Sequence, residues 1–108
     1  MRELTITDNF LDVVKEKKVC IVDFSATWCG PCKKMTPVLE KLSKDFLANL
    51  LVLKVNVDTF EDLTHKHKVK EVPTLVFYLN GELTEHTIKG FTEGSEESIR
   101  HLVEKLVA

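Results

Sequence analysis

Two cysteines separated by two residues are the part of this sequence best suited to chemistry. They stand in the segment Trp28-Cys29-Gly30-Pro31-Cys32, just after an apolar run and at the expected start of a helix. A thiolate is the attacking species in disulfide exchange, so the reacting cysteine must ionise near neutral pH. The first turn of a helix favours a thiolate, because its unpaired N–H groups carry partial positive charge. We therefore expect Cys29 to attack and Cys32 to close a reversible disulfide.

Zinc binding and a structural disulfide are the alternative uses of such a pair. Structural zinc usually takes about four ligands, often from two such pairs. The third cysteine, Cys20, falls within an apolar run, and the four histidines show no spacing typical of zinc ligands. A structural disulfide that closes so small a loop would stabilise the fold little. Redox chemistry without a metal is therefore the expectation at Cys29 and Cys32.

The composition indicates one globular domain. The 108 residues are 44% hydrophobic and 30% charged, with a formal net charge of −2. A chain of this length can bury a core of its own, so we expect a single domain over residues 1–108. A net charge this small gives no basic field. Neither nucleic acid nor an anionic membrane surface is therefore an expected partner.

The sequence also predicts a reducing location, the cytoplasm. Its longest apolar run, residues 46–53, is far shorter than the roughly 20 residues that a membrane helix requires. The first residues, Met1-Arg2-Glu3, contain no apolar stretch of the kind found in secretory signals. Three cysteines are an odd and low number for a secreted protein stapled by disulfides.

Hydrophobic periodicity predicts alternating strands and helices in an α/β domain. Apolar runs predict strands over Val19–Phe24, Leu50–Val57, Thr74–Leu79 and Glu82–Lys89. The last is an edge strand that follows a hairpin turn at Asn80-Gly81. Helical spacing and capping residues predict four helices. The first begins after Thr7 or Asp8, and the second begins near Pro31 and is kinked at Pro37. The third begins after Asp58 or Thr59 and ends near Lys68, and the fourth begins after Ser95. The alternation implies parallel strands joined by helical crossovers, with one antiparallel edge.

Three segments resemble the thioredoxin family over roughly residues 4–106. They are the active-site segment Phe24–Lys33, the segment Val72-Pro73-Thr74-Leu75 followed by Asn80-Gly81, and the pair Gly90-Phe91. The Gly-Pro between the cysteines is similar to thioredoxins rather than to glutaredoxins or oxidising isomerases. The resemblance implies the thioredoxin fold, a central mixed five-stranded sheet flanked by four helices. It also implies a protein-disulfide reductase with no bound cofactor, whose redox group is the Cys29–Cys32 disulfide and whose attacking thiol has a lowered pKa.

Asp23 is the unusual residue of its apolar strand. Its position allows either a solvated carboxylate at a strand end or a buried acid whose pKa is raised by desolvation. The resemblance favours the buried acid, which would accept the proton of Cys32 as that thiol attacks the mixed disulfide. By the same resemblance Lys54 pairs with Asp23. The alternative for Lys54 is an ordinary strand-end lysine whose ammonium reaches water.

The resemblance further implies a substrate-binding rim around the cysteines. Its expected members are Trp28, Gly30, Pro31, Val72, Pro73, Gly90 and Phe91. In this comparison Pro73 is a cis proline that faces the cysteines and leaves the preceding backbone free to pair with an extended substrate. Glu71 departs from the family pattern, where a small or neutral residue is common. A carboxylate on the rim would disfavour acidic substrates.

The expected partners also follow from the resemblance. A thioredoxin reductase would supply electrons from NADPH, and the clients would be peroxiredoxins, ribonucleotide reductase and methionine sulfoxide reductases. We expect a monomer that takes part in electron transport and cell redox homeostasis. A dithiol oxidase or isomerase, and a binding module whose dithiol is incidental, remain alternatives. Cys20 is most simply a small buried hydrophobe, with a regulatory thiol as the alternative.

Overall fold

A mixed five-stranded sheet forms the centre of the structure, a computed structural model that describes residues 1–108. Its strands are β1 (Arg2–Glu3), β2 (Val19–Ser25), β3 (Leu50–Asn56), β4 (Thr74–Leu79) and β5 (Glu82–Lys89). They lie in the order β1-β3-β2-β4-β5. The first three strands are parallel, and β4 and β5 are antiparallel additions. The predicted fold class is confirmed.

Four helices cover both faces of the sheet. They are α1 (Phe10–Val13), α2 (Gly30–Asp45), α3 (Glu61–Lys66) and α4 (Ser95–Val107). One face packs against α2 and α4 through alternate residues such as Ile21, Val52 and Phe77. The opposite face lies under α1 and α3 and includes Val22 and Leu53. Because both faces are covered, β2 is apolar along nearly its whole length and buried at every position.

Helix α2 begins at Gly30, next to the predicted Pro31, but the cap of α1 differs from the predicted one. The N-cap of α1 is Asn9, whose side chain accepts from the backbone N–H of Asp12. Neither Thr7 nor Asp8 caps this helix. The Asp8 carboxylate instead accepts from the backbone N–H of Thr5 at 2.8 Å. A neighbouring turn therefore takes the acceptor that the helix would have used.

The starts of α3 and α4 also correct the prediction. Phe60 precedes α3, which has no side-chain cap, ends at Lys66 and is not capped by Asp58 or Thr59. Ser95 is the first residue of α4 rather than its cap, and its hydroxyl accepts from the backbone N–H of Thr92 at 2.8 Å. Pro37 lies inside α2, which continues past it. None of the four helices combines the length and hydropathy that a membrane crossing requires.

His67 makes two polar contacts at the apolar layer beneath α3. The Nδ1 atom of His67 lies 2.9 Å from the carbonyl oxygen of Leu63, and its Nε2 atom lies 2.6 Å from the hydroxyl of Tyr78. A carbonyl only accepts, so Nδ1 donates and Nε2 accepts from Tyr78. Burial raises the pKa of Tyr78 to about 12, which keeps its hydroxyl protonated as a donor.

Candidate active site

The two cysteines lie at the start of α2, as predicted. Cys29 is the N-cap and forms a disulfide with Cys32, with 5.3 Å between their Cα atoms. The backbone N–H of Cys32 donates to the Sγ atom of Cys29 at 3.1 Å. Pro31 occupies the first turn, where its missing N–H has no intrahelical partner to lose. The Cys29 sulfur therefore receives both a hydrogen bond and the positive end of the helix dipole.

The disulfide is sheltered beside an exposed surface. Cys29 exposes 4% and Cys32 2% of its area, whereas the neighbouring Trp28 exposes 69%. Ala26 packs with the two cysteines, and the half-buried Val72 packs against all three. The disulfide therefore reaches solvent only over a small area beside the exposed Trp28.

The segment around Pro73 lies against Cys29. The Val72–Pro73 peptide bond is cis, as the resemblance implied. The Sγ atom of Cys29 lies 3.7 Å from the carbonyl oxygen of Val72. The backbone N–H of Gly90 donates to the carbonyl of Pro73 at 2.8 Å, which joins the second predicted loop to the same rim. Phe91 follows Gly90 but packs against the core under α2 and α4 rather than in the cluster around the disulfide.

Asp23 is a buried acid, which decides between the two interpretations of its sequence position. Its exposed fraction is 0%, and neither carboxyl oxygen has a hydrogen-bond partner. Burial raises the pKa of Asp23 to about 6, and the positive charge of Lys54 opposes this rise. The carboxyl group is therefore still mostly ionised at neutral pH and able to accept a proton.

Lys54 is placed beside Asp23 but is not bonded to it. The two residues are register partners on β3 and β2, and Lys54 is half-buried. No ion pair within 4.0 Å joins them, which corrects the direct pairing that the resemblance implied. The ammonium acts on Asp23 through its charge at a distance.

Asp58 belongs to the site, although the sequence pointed to it only as a helix cap. Its Oδ2 atom accepts from the indole Nε1–H of Trp28 at 2.9 Å. The two residues are 30 positions apart, so no local motif connects them. The parallel pairing of β2 with β3 supplies the connection. Trp28 and Asp58 follow the carboxyl ends of these neighbouring strands, which lie at the same edge of the sheet.

The remaining candidate residues lie outside this cluster. Glu71 is exposed next to Val72, and its carbonyl accepts from the hydroxyl of Thr74 at 2.7 Å. Cys20 is fully buried, and burial raises the pKa of its thiol to about 12. Such a thiol is not a nucleophile at neutral pH. The structure contains no group of three or more potential metal ligands.

Comparison with known proteins finds one family over nearly the whole chain. The Thioredoxin family model matches residues 2–105. A thioredoxin of Staphylococcus epidermidis is 36% identical over 105 residues, which cover 97% of this chain and 98% of that protein. A protein of Mycobacterium leprae named bifunctional thioredoxin reductase/thioredoxin is 39% identical over 80 residues, or 74% of this chain and 18% of that protein.

Solved structures share the same fold. A thioredoxin of Plasmodium falciparum superimposes with a TM-score of 0.83 at 31% identity, covering 97% of this chain and 98% of that chain. A second match has a TM-score of 0.84 at 29% identity and covers 98% of this chain and 95% of that chain. It comes from a structure that describes thiol resolution in a yeast mitochondrial 1-Cys peroxiredoxin through glutathione and thioredoxin systems.

Proposed function

This chain belongs to the thioredoxin family and reduces protein disulfides through its Cys29–Cys32 couple, and on that premise we propose a role for each residue of the site. The observation that carries the proposal is the hydrogen bond from the Cys32 backbone N–H to the Sγ atom of Cys29. The same N–H, together with the helix dipole, would stabilise a thiolate on Cys29 in the reduced protein. Cys29 is therefore the nucleophile and Cys32 the resolving thiol.

The reaction has two exchange steps. The Cys29 thiolate attacks one sulfur of the substrate disulfide, which forms a mixed disulfide and releases the first substrate thiolate. Cys32 then gives its proton, through water, to the Asp23 carboxylate and attacks the Sγ atom of Cys29, which releases the second substrate thiolate. Two electrons pass from the dithiol to the substrate, and the Cys29–Cys32 disulfide is formed. Lys54 favours the ionised state of Asp23 through its charge.

The exposed rim would hold the substrate chain. Trp28 offers a large apolar surface whose orientation is fixed by Asp58. The backbone of Val72 lies beside the Cys29 sulfur, where an extended peptide would pair with it. Pro73 and Gly90 are further proposed rim positions, joined by the hydrogen bond from the Gly90 N–H to the Pro73 carbonyl. Gly30 and Pro31 are further proposed rim positions, and the half-buried Phe91 would border the rim beside Gly90 with the part of its side chain that does not pack against the core.

A thioredoxin reductase is the proposed electron donor, with NADPH as the ultimate source. The Mycobacterium leprae protein named bifunctional thioredoxin reductase/thioredoxin supports this assignment. Peroxiredoxins are the first proposed clients, supported by the peroxiredoxin described in the yeast structure. Ribonucleotide reductase and methionine sulfoxide reductases are further proposed clients. Addition of a thioredoxin reductase and NADPH should reduce the disulfide, and NADPH oxidation at 340 nm measures the rate.

We place this electron transport in the cytoplasm, carried out by a monomer that works as one domain over residues 1–108. The low and odd number of cysteines supports a reducing compartment. Cell fractionation with an antibody distinguishes the cytoplasm from an organelle. Sedimentation of the oxidised protein at several concentrations gives the oligomeric state.

A trapping experiment tests the two cysteine roles. Reduced Cys32→Ser should form a persistent mixed disulfide with insulin or a disulfide-bonded peptide, because the resolving thiol is absent. Cys29→Ser is the matched control and should form none. Mass spectrometry locates the bond. A mixed disulfide that accumulates on Cys32 in the Cys29→Ser variant, and not on Cys29 in the other, would reverse the assignment.

A binding module with an incidental dithiol is the alternative from another class. The double variant Cys29→Ser, Cys32→Ser separates the two, since it should lose all reductase activity. If a strain that carries the double variant grew as the wild type under oxidative stress, the binding role would be favoured. If the midpoint potential of the Cys29–Cys32 couple were much less negative than expected for a protein-disulfide reductase, a dithiol oxidase or isomerase would be favoured.

A further inference from the structure

A row of three charged residues crosses the sheet behind the disulfide. Glu3 on β1 is the register partner of Lys54 on β3, and Lys54 is the register partner of Asp23 on β2. Register partners on neighbouring parallel strands point to the same face of a sheet. Lys54 therefore stands between two carboxylates, one exposed at the sheet edge and one fully buried.

A small cavity confirms that Glu3 and Lys54 share one space. Its volume is about 130 Å³, and both residues line it together with Ser25 and Asn56. Each liquid water occupies about 30 Å³, so the cavity can hold water between the charged groups. Arg2 is turned to the opposite face, where it pairs with Asp8 and Glu16, so it does not neutralise Glu3.

No other charge faces Asp23. Its partner on β4 is Leu75, which is apolar. The helices α2 and α4 cover this face, and their buried residues carry no charge. The one thiol among these residues, Cys32, is held in the disulfide. The others are Met35, Leu39 and Leu42 of α2 and Ser95, Ile99 and Val103 of α4. The Lys54 ammonium is therefore the single cation that can act on Asp23, and Glu3 is the acid that competes for it.

We propose that Glu3 is a positioning residue that draws the Lys54 ammonium towards the sheet edge and so sets the pH range in which Asp23 accepts a proton. No ion pair within 4.0 Å involves Lys54, so neither acid holds the ammonium in direct contact and its position can respond to the charge of both. This inference rests on the proposed role of Asp23 as the base for Cys32.

Glu3→Gln is the central test. The substitution removes a negative charge about 10 Å from Asp23, two strand spacings away, and frees the ammonium to approach Asp23. Both effects favour the ionised carboxylate, so the pKa of Asp23 should fall by about 0.3 to 1 unit. Carboxyl carbon NMR of the oxidised protein measures this titration directly and does not depend on turnover.

Two further variants separate positioning from a general charge effect. Glu82→Gln removes another exposed edge-strand glutamate, which lies about 17 Å from Asp23, about twice the screening length at physiological salt, and is not a neighbour of Lys54, so it should leave the titration unchanged. In a Lys54→Met background, Glu3→Gln should move the titration by less than half as much. An equal movement in both backgrounds would overturn the role of Lys54 as the intermediary, and no movement in either would overturn the inference.

The pH profile of the resolving step tests the dependence on the proposed function. Release of substrate from the mixed disulfide should shift to lower pH in Glu3→Gln by the same amount as the Asp23 titration. A titration that moves while the release profile stays fixed would uphold the Glu3 inference and overturn Asp23 as the base. A titration that stays fixed would overturn the Glu3 inference and leave the role of Asp23 intact.

Discussion

Asp23→Asn should make the oxidised protein more stable at neutral pH. Burial moves the pKa of Asp23 from its ordinary value of 3.8 to about 6, so the folded state resists ionisation more than the unfolded state does. One pKa unit corresponds to about 1.4 kcal/mol, which makes the ionised carboxylate cost about 3 kcal/mol of folding stability at pH 7. Asparagine keeps the shape and removes the charge, so it should recover most of this cost.

The gain must depend on pH with a defined sign. Below the ordinary pKa both states carry a neutral carboxyl group, and the two proteins should be about equally stable. The wild type then loses stability relative to Asp23→Asn as pH rises from about 3, until the difference levels off above the folded pKa near about 7. The amide would find no more partners than the carboxyl group has, since neither Asp23 oxygen is hydrogen-bonded.

Urea unfolding of both oxidised proteins between about pH 3 and pH 8 measures the difference. A gain of about 3 kcal/mol would appear in thermal melts as a rise of about 12 °C in Tm. Glu85→Gln is the control, because it removes an exposed carboxylate of β5 and should show no such pH dependence. The same Asp23→Asn protein should release substrate more slowly, since Cys32 loses its base. A stability difference that is the same at all pH values would refute the buried-acid argument.

Three further substitutions or reactions test other contacts. Iodoacetamide at neutral pH should label Cys29 of the reduced protein well before Cys20, because the pKa of the Cys20 thiol is raised to about 12. Mass spectrometry of the labelled peptides measures the order, and equal labelling of the two cysteines would contradict the prediction. Asp58→Ala should lower kcat/KM for insulin reduction by about two- to tenfold, because Trp28 loses its hydrogen bond and becomes more mobile. Trp28 is the single tryptophan, so its fluorescence anisotropy reports that mobility, and an unchanged anisotropy would contradict the prediction. Tyr78→Phe should cost about 1–3 kcal/mol in urea unfolding, because it leaves a histidine nitrogen without its donor, and should not alter kcat/KM.

The sequence predicted the elements of the sheet better than their ends. The run of apolar residues from Val19 indicates the strand even though it shows no alternation, because a strand covered on both faces is apolar on both. The predicted caps of α1 and α4 are wrong because the Asp8 and Ser95 side chains accept from neighbouring turns. The predicted Asp58 cap of α3 is wrong because its carboxylate accepts from the indole of Trp28 instead. The carboxylate of Asp8 is held by Thr5 and Arg2, and only the folded loop reveals that competition.

The candidate site was predicted where its residues form a local motif and missed where they do not. Cys29 and Cys32 flank the start of α2, so their spacing in the sequence is enough to predict that they form one site. The burial of Asp23 depends on β2 extending two residues beyond it beside β3, which no local pattern states. Asp58 could be found only by recognising that β2 and β3 are neighbours and that their carboxyl ends share an edge.

Because the Cys29 sulfur caps α2, the choice of a redox-inactive variant matters to anyone who uses this protein as a bait or a control. Serine keeps an acceptor for the Cys32 backbone N–H, whereas alanine removes it. Loss of an N-cap acceptor typically costs about 1 kcal/mol, and here it would loosen the turn that presents the rim to partners. If a client protein binds Cys29→Ser but not Cys29→Ala, its failure to bind results from the destabilised start of α2 and not from the loss of redox chemistry.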